Sequence, residues 1–212
     1  MSSSPAAATT GSRWSCCCES RLAASARLAT LGGVAGPVLV IELPERVPDT
    51  ALGELRRLLS DLSPRFEERR PGEYDINVSA RRVGAGEDDT PAGDRPFLVS
   101  VMGPGIGDVE IFEAEHADEP QLEPFIGFHP THAVDVIAMC NSQVDHIATA
   151  LLTAAIMDVV GGVANVELRE DQVSIVAGLP GLLRLVPDWE VAFGTPDFLR
   201  AWAARPGFRL VK

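Results

Sequence analysis

The sequence predicts an α+β fold: a mainly antiparallel sheet with helices packed on one side, one of them largely buried and central. Three observations predict it. Short runs of strand length, joined by tight turns, dominate the chain. Helical patterns interrupt them only a few times, so strands and helices do not alternate as a doubly wound parallel sheet requires. One long segment, Val144 to Val160, is apolar on nearly every side.

Val38-Leu-Val-Ile-Glu-Leu43 opens the folded part as a strand. After Pro44 and Pro48, Asp49 is placed to cap a helix whose Leu52, Leu55, Leu59 and Leu62 fall on one face. Arg65–Arg70, the turn Pro71-Gly72 and the alternating Tyr74, Ile76, Val78 and Ala80 read as a hairpin. Gly84–Asp94 is polar and without periodicity, a loop. Phe97–Met102 is a buried strand, Gly103-Pro-Gly-Ile-Gly107 a turn, Asp108–Phe112 a partner strand and Glu113–Pro124 an acidic loop. No Gly-Lys-Ser/Thr follows the glycines and no helix pattern opens behind them, so this is not a phosphate loop.

Phe125–Phe128 reads as a short strand, and Thr131 as the start of a helix carrying Val134, Ile137 and Ala138 and ending near Asn141. Ser142 caps the long apolar helix, with Asp145 in its first turn and Gly161-Gly162 at its end. A membrane span competes for this segment. Asp158, a length at the lower limit and the lack of flanking Lys or Arg argue for a core helix. Val163–Leu168, Gln172–Val176 and Leu182–Val186 read as strands, Thr195-Pro196-Asp197 as a helix start before Phe198, Leu199 and Trp202, and Phe208–Val211 as a strand or docked tail.

Residues 1–36 look unlike the rest: small and polar residues, then Trp14, three consecutive cysteines and scattered Arg. They read as a disordered extension or a start assigned too far upstream, since glycines and Pro37 break the one apolar stretch that resembles a signal peptide. Residues 37–212 form the single domain, long enough to bury a core without staples. Cys16, Cys17, Cys18 and Cys140 form no Cys-x-x-Cys pair, which excludes a zinc knuckle and fits a reducing cytoplasm.

The formal charge of −12 argues against nucleic acid as a partner. Its distribution is sharper. From Pro96 to Leu168 there is no Lys or Arg, against eleven acids: Asp108, Glu110, Glu113, Glu115, Asp118, Glu119, Glu123, Asp135, Asp145, Asp158 and Glu167. They cannot neutralise one another, so some must meet arginines from elsewhere and the rest must face solvent or a partner. Such a stretch favours a basic protein partner. Glu115, Asp118 and Glu119 are the candidate binding residues. Its bland counterpart is a solvated face that keeps the protein soluble.

Clustering of site-type residues occurs at His129, His132, Asp135, Asp145 and His146, which Glu167 could join. His, Asp and Glu are ligands for zinc or a non-haem metal. The spacing matches no established ligand set, and the second place of a His-Glu-x-x-His motif lacks Glu. No Gly-x-Ser-x-Gly elbow or dinucleotide fingerprint exists, and Cys140 with His146 reads better as a buried thiol than as a nucleophile. The expectation is no catalytic residue set, no cofactor and no metal.

Met139-Cys-Asn141, Asp145-His146, Gly161-Gly162, Leu179-Pro-Gly181, Phe198-Leu-Arg-Ala-Trp202 and Phe208-Arg-Leu-Val-Lys212 carry a resemblance. Over Pro37 to Lys212 the chain resembles a family of small actinobacterial proteins that is a domain of unknown function. Small acidic α+β proteins of this kind are also similar to immunity proteins that neutralise toxins. The resemblance implies binding rather than catalysis and transfers no site residue. The function expected is a non-enzymatic, cytoplasmic protein-binding role, immunity-like or regulatory, without membrane or nucleic acid. The alternatives are a small metal-assisted enzyme using His129, His132, Asp145 and His146, and a structural or assembly subunit.

Overall fold

A computed structural model describes residues 36–86, 93–117 and 122–211. The extension expected over residues 1–36 therefore lies outside the described residues save Gly36, and so do residues 87–92 of the polar loop. Eight strands form one sheet: β1 (Val38–Leu43), β2 (Arg65–Arg70), β3 (Glu73–Ser79), β4 (Asp94–Met102), β5 (His132–Ala138), β6 (Val163–Glu167), β7 (Leu182–Val186) and β8 (Val191–Gly194). The order is β2-β3-β4-β5-β1-β6-β8-β7, and every neighbouring pair is antiparallel. The α+β class read from the sequence is the class observed.

Strand alternation gives the sheet two faces. On one, Leu39, Ile41, Tyr74, Ile76, Phe97, Val99, Val134, Val136, Ala164 and Val166 are buried in the main core. Five helices cover this face: α1 (Asp49–Leu62), α2 (Ala80–Val83), α5 (Gln143–Val160), α6 (Glu170–Val176) and α7 (Pro196–Ala203). α1 presents Leu55 and Leu59, both fully buried, with Leu52 and Leu62 partly buried beside them. α7 stacks Phe198 on Trp202, and Trp202 meets Phe208 of the docked C-terminal tail edge-on at 4.9 Å.

α5 lies at the centre of this layer, against both α1 and α7. By length and composition it is apolar enough to cross a membrane, yet ten of its residues are buried inside the fold. Burial along α5 is uneven. Ile156 is fully buried, but Leu151 is only partly so, and Leu152 takes the wholly buried place.

Four segments differ from their sequence reading. Residues 132–138, expected as helix, are the central strand β5, and all seven residues are buried. The run His132-Ala-Val-Asp-Val-Ile-Ala138 fits both periods, and here its pairing with β1 and β4, buried on two faces, decides for strand. Asp108–Phe112, expected as a strand, begins helix α3 (Val109–His116), because the Asp108 carboxylate accepts the Ile111 N–H at 3.1 Å as an N-cap. A helix does therefore open behind the glycine turn. Phe125–Phe128 is the end of the one-turn helix α4 (Glu123–Ile126), and Gln172–Val176 belongs to α6, with Glu170 and Asp171 in its first turn. Strand β8 was not legible as a separate element.

Truncating Leu152 or Ile156 to Ala should each cost about 2–5 kcal/mol, and Leu151→Ala less. Urea melts of the three variants check this; equal losses at 151 and 152 would contradict the placement of α5.

Candidate functional site

The face of the sheet opposite the helix layer is covered by α3 and by residues 122–128, which together form a strap. α3 lays Ile111 and Phe112 on Met102, Ala133 and Val40. Further along, Leu122, Phe125, Ile126 and Phe128 pack on Val163, Phe193, Val186 and Val191. The apolar side of this strap is thus spent on the sheet, and Glu110, Glu113 and Glu123 point to solvent.

Arginines from outside the acidic stretch reach Asp108, Asp145 and Asp158. Arg70 approaches Asp108 at 3.8 Å, Arg95 binds Asp145 through two bonds of 2.6 and 2.8 Å, and Arg200 pairs with Asp158. Glu110, Glu113 and Glu123 enter no ion pair among the described residues. Of the three residues singled out in the sequence, Glu115 is half-buried with one carboxylate oxygen shielded from solvent. Asp118 and Glu119 lie outside the described residues.

Beneath the strap is a buried polar network. Glu42, 1% exposed, projects from β1 toward α3 and accepts from Asn165 Nδ2 at 2.8 Å. Its other oxygen lies 2.9 Å from His116 Nε2, on the last turn of α3. His116 Nδ1 is 2.8 Å from the Phe112 carbonyl, which can only accept, so Nδ1 carries a proton. Glu42 and His116 therefore hold one further proton between them, either as imidazolium and carboxylate or as a neutral ring accepting from the acid. Asp135 is buried on the same face, level with Asn165 and two strands from it, with Val40 between them. The Asn165 side-chain oxygen has no hydrogen-bond partner among the described residues. Polar residues inside otherwise apolar strand runs, as at Glu42 and Asn165, were the available sequence signal.

The structure separates the metal candidates. His129 is exposed in the loop before β5. His132 opens β5 with its ring between Thr131 Oγ1 at 2.9 Å and the Pro104 carbonyl at 3.1 Å. Gly103, at φ 138°, makes room for that ring: a Cβ there would stand 2.5 Å from it. The Asp145 carboxylate is engaged by Arg95 and by the Ser142 N–H and hydroxyl at 2.5 and 2.6 Å. Burial pushes this carboxyl up, but those donors outweigh it and hold it below the ordinary carboxylate value. His146 is fully buried, and its Nδ1 accepts the Leu210 N–H at 3.2 Å, fixing the C-terminal tail. Burial, then nearby Arg209, lowers its pKa. Among the described residues no three His, Cys, Asp or Glu are grouped to hold a metal ion.

A cleft of about 610 Å³ lies between α1 and the glycine turn. Its Arg46, Arg56 and Arg70 are paired with Asp49, Glu68 and Glu73, so it offers little unneutralised charge.

Sheet and strap together define an α+β protein whose eight-stranded antiparallel sheet is covered on both faces. The chain belongs to the family of unknown function DUF6368, whose model matches residues 35–212. No curated protein and no solved structure matches it.

His116→Ala should cost about 3–5 kcal/mol, because it leaves Glu42 buried with Asn165 alone. Glu42→Gln should cost far less, since an amide can donate to a neutral His116 and still accept from Asn165; denaturant melts compare the two. Acid should destabilise through the other pair. His146 and Asp145 both have folded pKa values below their unfolded ones, so the stability they contribute is present above the unfolded values. For His146 it is lost as pH falls below about 6.5, and for Asp145 at still lower pH. Thermal melts at pH 7 and pH 5 should show a fall that His146→Asn reduces, Asn keeping an acceptor for Leu210.

Proposed function

We propose that this chain is a non-enzymatic protein-binding protein that presents the strap face to a basic protein partner. The observation that supports it is the strap itself. Its apolar side chains are buried on the sheet while Glu110, Glu113 and Glu123 are left exposed and without ion pairs among the described residues. Asp118 and Glu119 continue the same acidic run in sequence. Other acids do meet arginines, among them Glu68, Glu73, Asp75, Asp145 and Asp158. Unpaired carboxylates on one face steer a cationic partner and raise its association rate. An immunity-like or regulatory role in the cytoplasm is the finer form of this reading and rests on analogy of size, charge and fold class.

The test takes the partner captured from the protein's own cells and measures its association with purified wild type and with the Glu110→Lys/Glu113→Lys/Glu123→Lys variant. The variant should bind ten-fold or more weakly, on the order of 1.4 kcal/mol, with unaltered melting. Wild-type association should slow as salt rises through the screening range. Salt-indifferent binding that survives the triple reversal would leave the acidic strap as solubilising surface.

A further inference from the structure

The strap ends against the tip of the β7–β8 hairpin, and there the chain exposes an aromatic side chain. Trp189 sits in the 3-10 turn Pro187–Trp189 with 43% of its surface open. The next residue, Glu190, adopts φ 53° and ψ 42°, the one left-handed non-glycine conformation among the described residues. Such a conformation costs free energy and persists where surrounding structure enforces it. Here it turns the chain back into β8, and Phe125 of the strap meets the indole edge-on at 5.1 Å, fixing its orientation. Phe125 in turn lies near-parallel to the buried Phe193 at 6.2 Å. On the same hairpin Leu183, at the register shift of edge strand β7, is 53% exposed.

The charge around this aromatic cluster is one-sided. Asp188 and Glu190 flank Trp189 in sequence, Glu123 lies two residues before Phe125, and Glu167 pairs in register with Val191. Two cations are near: Arg184, whose guanidinium stands 5.9 Å from the centre of the Phe125 ring, and Arg169, which pairs with Asp171 and follows the Leu168 whose N–H donates to the Glu190 carbonyl. The cluster thus already holds a cation over one of its rings, as the negative face of an aromatic favours. A second ring, Trp189, is open, is held edge-on by Phe125, and has a carboxylate residue on either side of it in the chain. Exposed Trp with these properties is the residue type that dominates binding energy at interfaces.

We infer that Trp189 is the anchor for a Lys or Arg side chain of a basic segment of a partner protein, with Asp188 and Glu190 on either side of it in the chain and Glu123 beside the Phe125 that holds it. This rests on the reading of the strap face as a surface for a basic partner and names where that partner is gripped.

The experiment uses the full chain, isotopically labelled, titrated with a twelve-residue peptide of alternating Lys and Val and with the same peptide carrying Glu for Lys. The Lys peptide should move the Trp189 indole N–H resonance. Trp189→Leu, which keeps apolar area but not the ring, should weaken binding ten-fold or more, while Trp189→Phe retains most of it. If Trp189→Leu binds like wild type and the triple reversal on the strap does not, the anchor is overturned and the acidic face stands. If the Lys peptide does not bind wild type, both fail. Equal binding of the Glu peptide, or a dimer in sedimentation that Trp189→Leu abolishes, would also overturn the inference, the latter in favour of a second copy of the chain.

Discussion

Burial of the central strands from both sides is the constraint on which the rest of the structure depends. β5 has no exposed residue, and β1 and β6 beside it are nearly as enclosed. A sheet covered only by its helix layer would leave Val40, Ala133, Ile137 and Val163 against water, together with the carboxylates of Glu42 and Asp135. The strap formed by α3 and residues 122–128 resolves this, and its composition follows from the task. It supplies Ile111, Phe112, Phe125 and Ile126 to the apolar parts of the face and His116 to the Glu42 carboxylate.

That arrangement ties the polar and apolar halves of the strap to different jobs. A buried carboxylate without a partner is expensive, so Glu42 and Asn165 make the seating of α3 specific in position. The apolar contacts alone would tolerate some sliding. With the inner side fixed in this way, the carboxylates at 110, 113 and 123 are held outward at defined places rather than on a loop. The same seating brings Phe125 against Trp189, so the acidic strap and the aromatic hairpin tip form one continuous surface.

The opposite edge of the sheet behaves differently. β2 reads Arg-Phe-Glu-Glu-Arg-Arg, and its charged side chains are tied to neighbours in α1 and β3. Such an edge resists the addition of another strand. β7, by contrast, carries four apolar residues of five and leaves Leu183 in the open. The two edges of one sheet are therefore chemically unlike, and the unguarded one adjoins the strap.

Sequence alone determined the α+β class, the strands at 38–43, 65–70 and 74–79, the helix with Leu55 and Leu59 inward, and the central helix with its Ser142–Asp145 start. Each depends on local periodicity or capping, which neighbours in the chain supply. It also fixed that 96–168 cannot neutralise its own charge. Tertiary structure decided the rest. Residues 132–138 satisfy helical and strand patterns equally, and only pairing with β1 and β4 selects strand. The partners of the buried groups lie far along the chain: Glu42 with His116 and Asn165, Arg95 with Asp145, and His146 with Leu210. No spacing rule joins residues 50 to 123 positions apart: the pairing of β1 with β6 brings Glu42 to Asn165, and the packing of α3, α5 and the C-terminal tail onto the rest of the fold supplies the other contacts.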